Sequence, residues 1–401
     1  MKVSVACSKH PSPSVGFDEA WLQLVQSLAD VPQLVFVFST VGYDIALLME
    51  ALAELPPEVQ IFGSTSCQGI MSQAGFLSAP AGGLGLLGFA DSEGACGVGM
   101  ADLSQPACES AYQALKQAIL AADREGESPD LIFISASPGI EEEVLEGVES
   151  LVGKNIPVIG GSAADNEVNG LWKMFTRNHL ISEGVIIAVF YCSGKLLFAF
   201  HSGYDPSGEK ALITQASDRT LYQLDGKPAA DVYNQWTKGT LDTVLAQQTG
   251  NILAQTTLFP LGRRVGQIGG IPYFQLSHPD QLLMGGALSL FSDIFEGEDV
   301  WLMRGTPESL IHRAGNVAQS ALDTQDQIDL KRIRGALIIY CAGCMLTIQS
   351  RMEEVVLSLK KALGEVPFLG AFTFGEQGCF PGGENRHGNL MISVLVFYDT
   401  L

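Results

Sequence analysis

Basic residues are scarce in this 401-residue chain, and that scarcity excludes whole classes of partner. Lysine and arginine together number 23 against 44 aspartate and glutamate residues, which gives a formal net charge of −21. A chain this acidic is repelled by the phosphate backbone of nucleic acids and by anionic lipid surfaces. Charged residues make up only 17% of the sequence and hydrophobic residues 47%. That balance excludes a disordered chain and predicts a large core.

Long hydrophobic runs, paired histidines and nucleotide-binding loops are also absent from the sequence. No run approaches the roughly 18 apolar residues of a membrane span, and the N-terminus looks like a first strand, not a signal peptide. We therefore expect a cytoplasmic protein whose eight scattered cysteines are reduced. The six histidines show no metal-ligand spacing, and no G-x-x-x-x-G-K-S/T phosphate loop occurs. The sequence predicts neither a metal site nor a nucleotide cofactor.

What the sequence does contain is one pattern repeated three times. Each copy has a short apolar run, a loop of small residues, a helical pattern and a second apolar run that reaches a glycine. The three copies cover residues 35–65, 131–162 and 337–371. This order is typical of a parallel βαβ unit, which needs a crossover of a dozen or more residues. In the first copy, Asp44 is placed to cap the helix.

Two glycine-rich stretches extend the repeat into both halves of the chain. Residues 82–89 and 285–291 each predict one strand of a hairpin, and a helix that starts near a proline follows each hairpin. The sequence therefore predicts an α/β fold with a two-part duplicated architecture, built from repeated βαβ units plus hairpins, with mixed sheets covered by helices. We expect an N-terminal domain at 1–205 and a C-terminal domain at 220–401, joined through a polar, turn-rich segment.

Small and polar residues follow the strands of each repeat and are candidate ligand-binding residues. In open α/β sheets, the loops at the carboxyl ends of parallel strands line the ligand crevice. Glycines there let backbone N–H groups approach a ligand, and hydroxyl groups add donors; tight turns are the alternative explanation. Aligning the copies by their strand ends places Ser39, Ser135 and Cys341 at one equivalent position. The remaining candidates from these loops are Ser64, Thr65, Gly161, Ser162, Asp165, Gly375 and Glu376.

Cys341, Cys344 and His387 leave several chemical interpretations open. The two cysteines enclose two residues after a strand and before a helix, where thiol–disulfide exchange motifs occur. Serine stands at the aligned position in the other two copies, so Cys341 is also interpreted as a packing residue or a ligand-contacting thiol. His387 follows the third glycine loop, and it is interpreted as a structural residue, a ligand contact or a general base.

Four segments together resemble the FIST family, bacterial sensory domains with an N-terminal and a C-terminal part. They are residues 160–165, residues 224–233, the Cys341-Ala342-Gly343 turn, and residues 368–376 with His387 and Asn389. The segments span nearly the whole chain in the expected order. The resemblance adds Gly343 and Asn389 to the candidate ligand-binding residues. One departure is Gln68-Gly69, where the family favours glycine followed by glutamate.

The resemblance implies a sensor of a small molecule, an amino acid or related metabolite, in bacterial signal transduction. We expect its output to pass in trans to a signalling protein such as a histidine kinase or a diguanylate cyclase. A zwitterionic ligand between the two halves would place its carboxylate on backbone N–H groups near Ser162 or Cys341. Its ammonium group would meet Glu376 or Asp165, because an unpaired buried charge is costly.

An enzyme is the alternative function that the sequence leaves open. In it, Cys341 is the nucleophile of an acyl-transfer or hydrolytic reaction on a duplicated, thiolase-like α/β scaffold, and His387 is its base. A scaffold that binds another protein through its acidic surface is a third interpretation. The sequence identifies neither the ligand nor the oligomeric state.

Overall fold

A computed structural model describes residues 1–268 and 271–400 of the chain. Within these residues, no helix is both long enough and apolar enough to cross a membrane. The helices are α1 (Pro13–Leu28), α2 (Ile45–Ala53), α3 (Ala107–Ala121), α4 (Glu141–Val152), α5 (Ala229–Trp236), α6 (Asp242–Leu245), α7 (Leu253–Thr256), α8 (Pro307–Leu322), α9 (Ala342–Thr347) and α10 (Met352–Leu363).

The strands of the first half are β1 (Lys2–Ser8), β2 (Leu34–Ser39), β3 (Gln60–Thr65), β4 (Gly69–Ser72), β5 (Gly75–Ser78), β6 (Leu84–Ala90), β7 (Ala95–Asp102), β8 (Leu131–Ala136), β9 (Val158–Gly161), β10 (Met174–Phe175), β11 (Leu180–Ile181), β12 (Gly184–Tyr191) and β13 (Lys195–His201). Those of the second half are β14 (Asp205–Ser217), β15 (Thr220–Leu224), β16 (Lys227–Pro228), β17 (Gly250–Asn251), β18 (Leu261–Ile268), β19 (Ile271–Ser277), β20 (Pro279–Leu283), β21 (Ala287–Leu290), β22 (Asp299–Arg304), β23 (Ile333–Cys341), β24 (Phe368–Thr373), β25 (Glu376–Phe380), β26 (Glu384–Gly388) and β27 (Ile392–Tyr398).

Three six-stranded sheets share one plan, and each contains one of the predicted βαβ units. The parallel pairs are β2–β3, β8–β9 and β23–β24, connected through α2, α4 and α10 respectively. Next to each pair lies an antiparallel strand, β6, β12 or β27, and an outer strand, β1, β7 or β13, pairs with that one. The predicted α/β fold of repeated βαβ units in mixed sheets is therefore confirmed.

The opposite edge of each six-stranded sheet is completed by a hairpin from a different repeat. The β10–β11 hairpin follows the second unit but pairs with β3 of the first, and the β25–β26 hairpin follows the third unit but pairs with β9 of the second. The β4–β5 hairpin follows the first unit and pairs with β24 of the third. The three units are thus interlocked in a ring, because each contributes one hairpin to the sheet of another unit.

The inner faces of the three sheets meet in one central core. Phe89, Phe190 and Phe397 occupy the same register position on β6, β12 and β27, and all three side chains are fully buried. Their ring centroids lie 5.2 to 5.9 Å apart. Helices cover the outer faces, with α1 and α2 on the first sheet, α3 and α4 on the second, and α8 and α10 on the third. This arrangement has approximate threefold symmetry.

The predicted helices form where the apolar periodicity places them. The Asp44 side chain accepts the N–H of Ala46 and caps α2 as predicted. Thr306 and Ser309 form a capping box at the start of α8, with Pro307 as its first residue. These local signals determine helix ends without help from distant residues.

The predicted hairpins are wrong, although their strands exist. β6 and β7 lie in two different six-stranded sheets, and β21 pairs with β15 and β20 while β22 pairs with β14 and β18. The short connection between β6 and β7 would allow a hairpin. In the structure, β6 instead pairs with β1 on one side and β2 on the other. The strands equivalent to β6 are β12 and β27, which the glycine-rich match had missed.

A fourth sheet, between β13 and α8 in the sequence, is inserted into the third repeat. Its strand order is β17-β20-β21-β15-β14-β22-β18-β19, with β16 paired to β15. The strands also cross the predicted division of the chain: β13, at the end of the segment 1–205, pairs along its whole length with β27 near the C-terminus.

Candidate functional site

A cavity of about 230 Å³ lies where the carboxyl ends of β8 and β23 face the inserted sheet. Its wall is mainly apolar, with a few polar groups. The lining residues are Pro138, Gly139, Glu141, Val168, Arg219, Leu253, His278, Phe291, Cys341, Ala342, Gly343, Leu346, Thr373, Phe374 and Asn389. An apolar cavity with a few convergent polar groups, at the carboxyl ends of parallel strands, is typical of a small-molecule site.

A larger groove of about 760 Å³ lies elsewhere, along β7 and the loop at 176–179. It is wide open to solvent, and none of the predicted site residues lines it. Enclosure by apolar side chains is what allows a pocket to bind a small ligand, and so the smaller cavity is the stronger candidate despite its size.

Arg219 joins the inserted sheet to α4 at one wall of the cavity. Its Nη2 lies 2.8 Å from Oε2 of Glu141 and 2.5 Å from Oε2 of Glu142, and its Nε lies 3.3 Å from Oδ1 of Asp293. Burial raises the pKa of Glu141, but the charges of His387 and Arg219 and the hydrogen bonds from Arg219 and Ser162 outweigh burial and lower it. Glu141 is therefore ionised, and the guanidinium and the carboxylates form a dipolar patch beside the cavity.

His387 and Asn389 hold the inserted sheet against β26 and β27. Gln377 Nε2 lies 3.3 Å from Nδ1 of His387, whose Nε2 lies 3.2 Å from the carbonyl oxygen of Phe291. The Oδ1 of Asn389 accepts the His278 N–H at 3.1 Å. His278 is buried, and burial lowers its pKa to about 4, although the hydrogen bond to the Leu253 carbonyl raises it. These contacts fix the wall that contains Phe291 and His278.

Some of the predicted residues border the cavity and others lie one layer behind it. Cys341, Gly343 and Asn389 are in the lining. Ser162 donates to Oε1 of Glu141 at 2.7 Å and so supports the lining from behind. Position 375 accepts only glycine beside His387, because a Cβ there would lie 2.4 Å from Cε1 of that histidine. The roles of these residues in ligand binding stay predictions.

The remaining predicted residues lie away from the cavity. The Oγ atoms of Ser64 and Ser135 lie 2.8 Å apart, and the Ser39 hydroxyl donates to the Thr40 carbonyl. Thr65 Oγ1 accepts the Lys173 N–H. A Cβ on Gly161 would lie 2.6 Å from the side chain of Thr373, so this glycine allows two sheets to pack closely. The structure does not bring these five residues to the cavity.

The predicted equivalence of Ser39, Ser135 and Cys341 is wrong. Three glycines on the second strands of the parallel pairs define the register: Gly63 pairs with Val37, Gly160 with Ile134 and Gly370 with Ile338. On its other side, each glycine pairs with the hairpin that comes from another repeat. Counted from there, the positions equivalent to Cys341 are Thr40 and Ser137. The apolar runs in the sequence end one residue before this position in the first repeat, at Ser39, and two residues before it in the second, at Ser135. Thr40 and Ser137 hydrogen-bond to the carbonyls of Ala79 and Gly184, whereas Cys341 faces the cavity.

Asp165 and Glu376, the expected partners of a ligand ammonium group, form hydrogen bonds with other groups of the protein. Asp165 is fully buried and accepts the N–H groups that follow it in the loop, those of Glu167, Val168, Asn169 and Leu171. Glu376 is also fully buried, and it accepts the Thr373 hydroxyl and the Met391 N–H. Burial raises the pKa of Glu376 well above its usual range. Neither carboxylate reaches the cavity.

Arg219, Glu141, His278 and Phe291 are site residues that the sequence did not reveal. Glu141 had only the signal of an acidic residue in the first turn of a helix. Arg219 and His278 lie in the inserted sheet, outside the repeats, so no alignment of the copies could find them. A lone arginine in a polar segment of a strongly acidic chain was the one available hint.

Glu141, Glu142 and His387 place potential metal ligands within 4.8 Å of one another. Arg219 Nη2 hydrogen-bonds to both carboxylates, so a guanidinium already supplies the positive charge that a metal ion would bring. We therefore assign no metal ion to this cluster.

Comparison with protein families gives the class of protein to which this fold and cavity belong. Residues 33–227 match the FIST N domain and residues 229–379 match the FIST C domain, so the chain belongs to the FIST family. Domains of this family are generally sensory, ligand-binding signalling domains. The family assignment made from the four sequence segments is confirmed.

Individual relatives are distant. The uncharacterized protein MJ1623 of Methanocaldococcus jannaschii is 29% identical over 121 residues, which cover 28% of this chain and 22% of that protein. The chain therefore spans about a fifth of the length of that relative. A cyanuric acid hydrolase from A. caulinodans aligns with 100% of this chain and 99% of its own at 11% identity, with a TM-score of 0.37. A second cyanuric acid hydrolase gives 9% identity and a TM-score of 0.35, with 99% of each chain covered. Similarity this low says nothing about substrate or reaction.

Proposed function

We propose that this protein is a sensor that binds an amino acid or a related small zwitterion in the cavity between α4, α9 and the inserted sheet. The observation that carries the proposal is the wall itself, where the guanidinium of Arg219 and the carboxylate of Glu141 adjoin an apolar enclosure. In a zwitterionic ligand, an ammonium and a carboxylate group are separated by a few ångströms. An ion pair of similar spacing in the wall complements both charges at once.

The groups around Arg219 support this assignment. Among the described residues, the hydrogen-bond partners of Arg219 engage its Nε and Nη2, which leaves Nη1 for a ligand carboxylate. Three carboxylates face one guanidinium, so a ligand ammonium group is attracted to the same patch. Phe291, Leu253 and Leu346 would contact the apolar part of the ligand.

The volume of the cavity limits the ligand to a small metabolite. The cavity has a volume of about 230 Å³. Cavities that bind drug-sized compounds start at roughly 300 Å³. A ligand smaller than a drug-sized compound, such as a single amino acid, suits this volume.

The contacts favour binding over acyl transfer. The ring nitrogens of His387 lie within hydrogen-bond distance of Gln377 and of the Phe291 carbonyl, so the proposed base is engaged by groups other than Cys341. Burial raises the pKa of the Cys341 thiol well above its usual range. In acyl transfer the base takes the thiol proton and later returns it to the leaving group, which requires a histidine that is free to contact both.

A thermal-shift screen followed by calorimetry tests the proposal. We expect an amino acid or small carboxylate at millimolar concentration to raise the melting temperature, because a ligand stabilises the state that binds it. Gly343→Leu is the blocking variant: a Cβ there would lie 3.7 Å or more from its neighbours, so the substitution fits the backbone and fills the cavity. We expect it to weaken binding at least about tenfold.

Gly266→Leu is the matched control, since Gly266 is exposed on β18 with no atom within 4 Å of its Cβ position. It should bind like the native protein. The proposal is wrong if no compound in the panel stabilises the protein, or if Gly343→Leu binds the hit as tightly as Gly266→Leu does. We further expect a bound ligand to change the affinity for a signalling protein, such as a histidine kinase or a diguanylate cyclase.

A further inference from the structure

Two cysteines at the start of α9 form a contact that ligand binding does not require. Cys341 is the N-cap residue of α9, and Cys344 is three residues further along the first turn. Both cysteines are buried, and neither is in a disulfide. Residues three apart on one helical turn have Cα atoms about 5 Å apart, which lies within the range that a disulfide bridges.

The two thiols differ in access. Cys341 lines the cavity, whereas Cys344 is fully buried behind it. Access to Cys341 depends on the missing side chain of Gly343, since a Cβ there would lie 3.7 Å from the sulfur of Cys341. A small molecule in the cavity therefore reaches Cys341 first.

A buried guanidinium lies on the other side of Cys344. Arg313 of α8 is 2% exposed; its Nη1 donates to the carbonyls of Ser202 and Leu390, both at 2.7 Å. Its Nε and Nη2 have no hydrogen-bond partner among the residues the structure describes. The guanidinium lies 4.8 Å from the ring centroid of Tyr340 and 5.7 Å from that of Tyr204. A buried charge is costly without a counter-ion, so an anion nearby would stabilise this arginine further.

Cys344 is the group best placed to provide that anion. Burial raises the pKa of its thiol, but the hydrogen bond from Cys341 and the charge of Arg313 outweigh burial and lower the pKa to about 6. The hydroxyl of Tyr204 lies 3.4 Å from the same sulfur. Burial raises the pKa of Glu376, a buried acid that also interacts with Arg313, well above its usual range, so Glu376 is the weaker counter-ion. The pair therefore holds one thiol, on Cys341, and one thiolate, on Cys344.

We propose that Cys341 and Cys344 are a redox-active pair that a small hydroperoxide, entering through the cavity, converts into a disulfide. The Cys341 sulfur attacks one peroxide oxygen while the Cys344 thiolate, acting as its base, takes the Cys341 proton. The O–O bond breaks, which gives a sulfenic acid on Cys341 and, from hydrogen peroxide, a hydroxide ion. The sulfur of Cys344 then attacks that of Cys341 and the S–O bond breaks. The proton of Cys344 leaves with the departing hydroxide as water, so the two sulfurs have lost two electrons and the peroxide has gained them.

The disulfide would change the charge balance behind the cavity. It removes the thiolate beside Arg313 and leaves the guanidinium without its anion, which favours ionisation of Glu376 or a shift of α8. An oxidant could thus alter the same walls that hold the proposed ligand. The redox step itself does not depend on that ligand.

Thiol counting on the full-length reduced protein tests the pair directly. After treatment with hydrogen peroxide and denaturation, we expect two of the eight thiols to be lost, and dithiothreitol to restore them. Peptide mapping by mass spectrometry should place the new bond between Cys341 and Cys344. In Cys344→Ser, dimedone should label Cys341 as a trapped sulfenic acid, and no intramolecular disulfide should form.

Cys108→Ser is the matched control, because Cys108 is a half-buried cysteine of α3, the helix that packs on the outer face of the second sheet. This variant should form the disulfide at the native rate. Retention of all eight thiols in the native protein would overturn the proposal, as would mapping of the lost thiols to other cysteines. The disulfide mapping uses the native protein, so its result tests the proposal even if one of the variants fails to fold.

Discussion

The Nη2 of Arg219 lies 2.8 Å from the Oε2 of Glu141, and this ion pair joins two segments that are separated by 78 residues in the chain. Arg219 comes from the inserted sheet and Glu141 from the first turn of α4 in the second repeat. The pair stands at the wall of the cavity, where the FIST N and FIST C parts meet. It is therefore both a structural link and the main electrostatic feature of the proposed site.

Replacing Arg219 should cost much more stability than replacing a surface arginine. In Arg219→Gln, the Glu141 carboxylate stays buried and loses its guanidinium, so we expect the free energy of unfolding to fall by about 3 kcal/mol. Arg124→Gln is the control, because its ion pair with Glu127 is largely exposed and should contribute less than about 1 kcal/mol. Urea denaturation at pH 7 measures both values. Equal losses in the two variants would contradict the assigned role of Arg219.

His278 should make stability depend on pH between about 4 and 6.5. Burial lowers its pKa to about 4 in the folded protein, while the unfolded chain takes up a proton near the ordinary value of 6.5. The unfolded state thus binds the proton first, so stability is lost as the pH falls through this window, by about 3 kcal/mol in all.

The variant His278→Gln isolates this contribution, since glutamine does not titrate. Its free energy of unfolding should change less than that of the native protein between pH 6.5 and 4. Urea denaturation at several pH values measures the difference. Identical pH profiles would show that His278 is not held neutral by burial.

The three phenylalanines at the centre should each be essential to the fold. Phe89, Phe190 and Phe397 are fully buried and contact one another, so truncation of any one to alanine should cost about 3 to 5 kcal/mol. Phe295→Ala is the control, because Phe295 is 56% exposed; we expect a loss below about 1 kcal/mol. The free energies from urea denaturation of the double variants should be non-additive, as expected for side chains in contact. A loss at only one of the three positions would contradict the threefold core.

The exchanged hairpins predict that the segment 1–205 does not fold alone. Without the rest of the chain, β9 lacks the β25–β26 hairpin, β13 lacks β27 and the β4–β5 hairpin lacks β24. These gaps leave strand edges and the central phenylalanines exposed, so we expect an aggregating or molten fragment. Circular dichroism and gel filtration of fragment 1–205 test this, and the co-expressed pair 1–205 and 206–401 is the control. A stable monomeric fragment would favour two independent domains.

The sequence predicted what short-range patterns encode. The periodicity of the helices, the Asp44 cap and the three strand–helix–strand units depend on neighbours within some 30 residues, and the structure contains them. Long-range pairing was beyond this reasoning: an edge strand such as β3 carries no local mark that β10, over 100 residues later, will pair with it. For the same reason β6 and β7 were predicted as a hairpin.

The site was predictable only where it coincides with the repeats. Cys341, Gly343 and Asn389 border the cavity because the third repeat ends there. Arg219 and His278 come from an insertion with no counterpart in the other copies, so nothing in the repeat pattern marks them. The register error at Ser39 and Ser135 has a simple cause: burial extends an apolar run to different lengths in the three sheets, whereas the glycines under the hairpins keep their place.

A crystal structure of the protein grown with the best compound from the thermal-shift screen tests the central claim most directly. We predict density for that compound beside Phe291, with its carboxylate within hydrogen-bond distance of Arg219 Nη1 and its ammonium group facing Glu141 or Asp293. Density for the compound at any other surface, with the 230 Å³ cavity empty, would contradict the account.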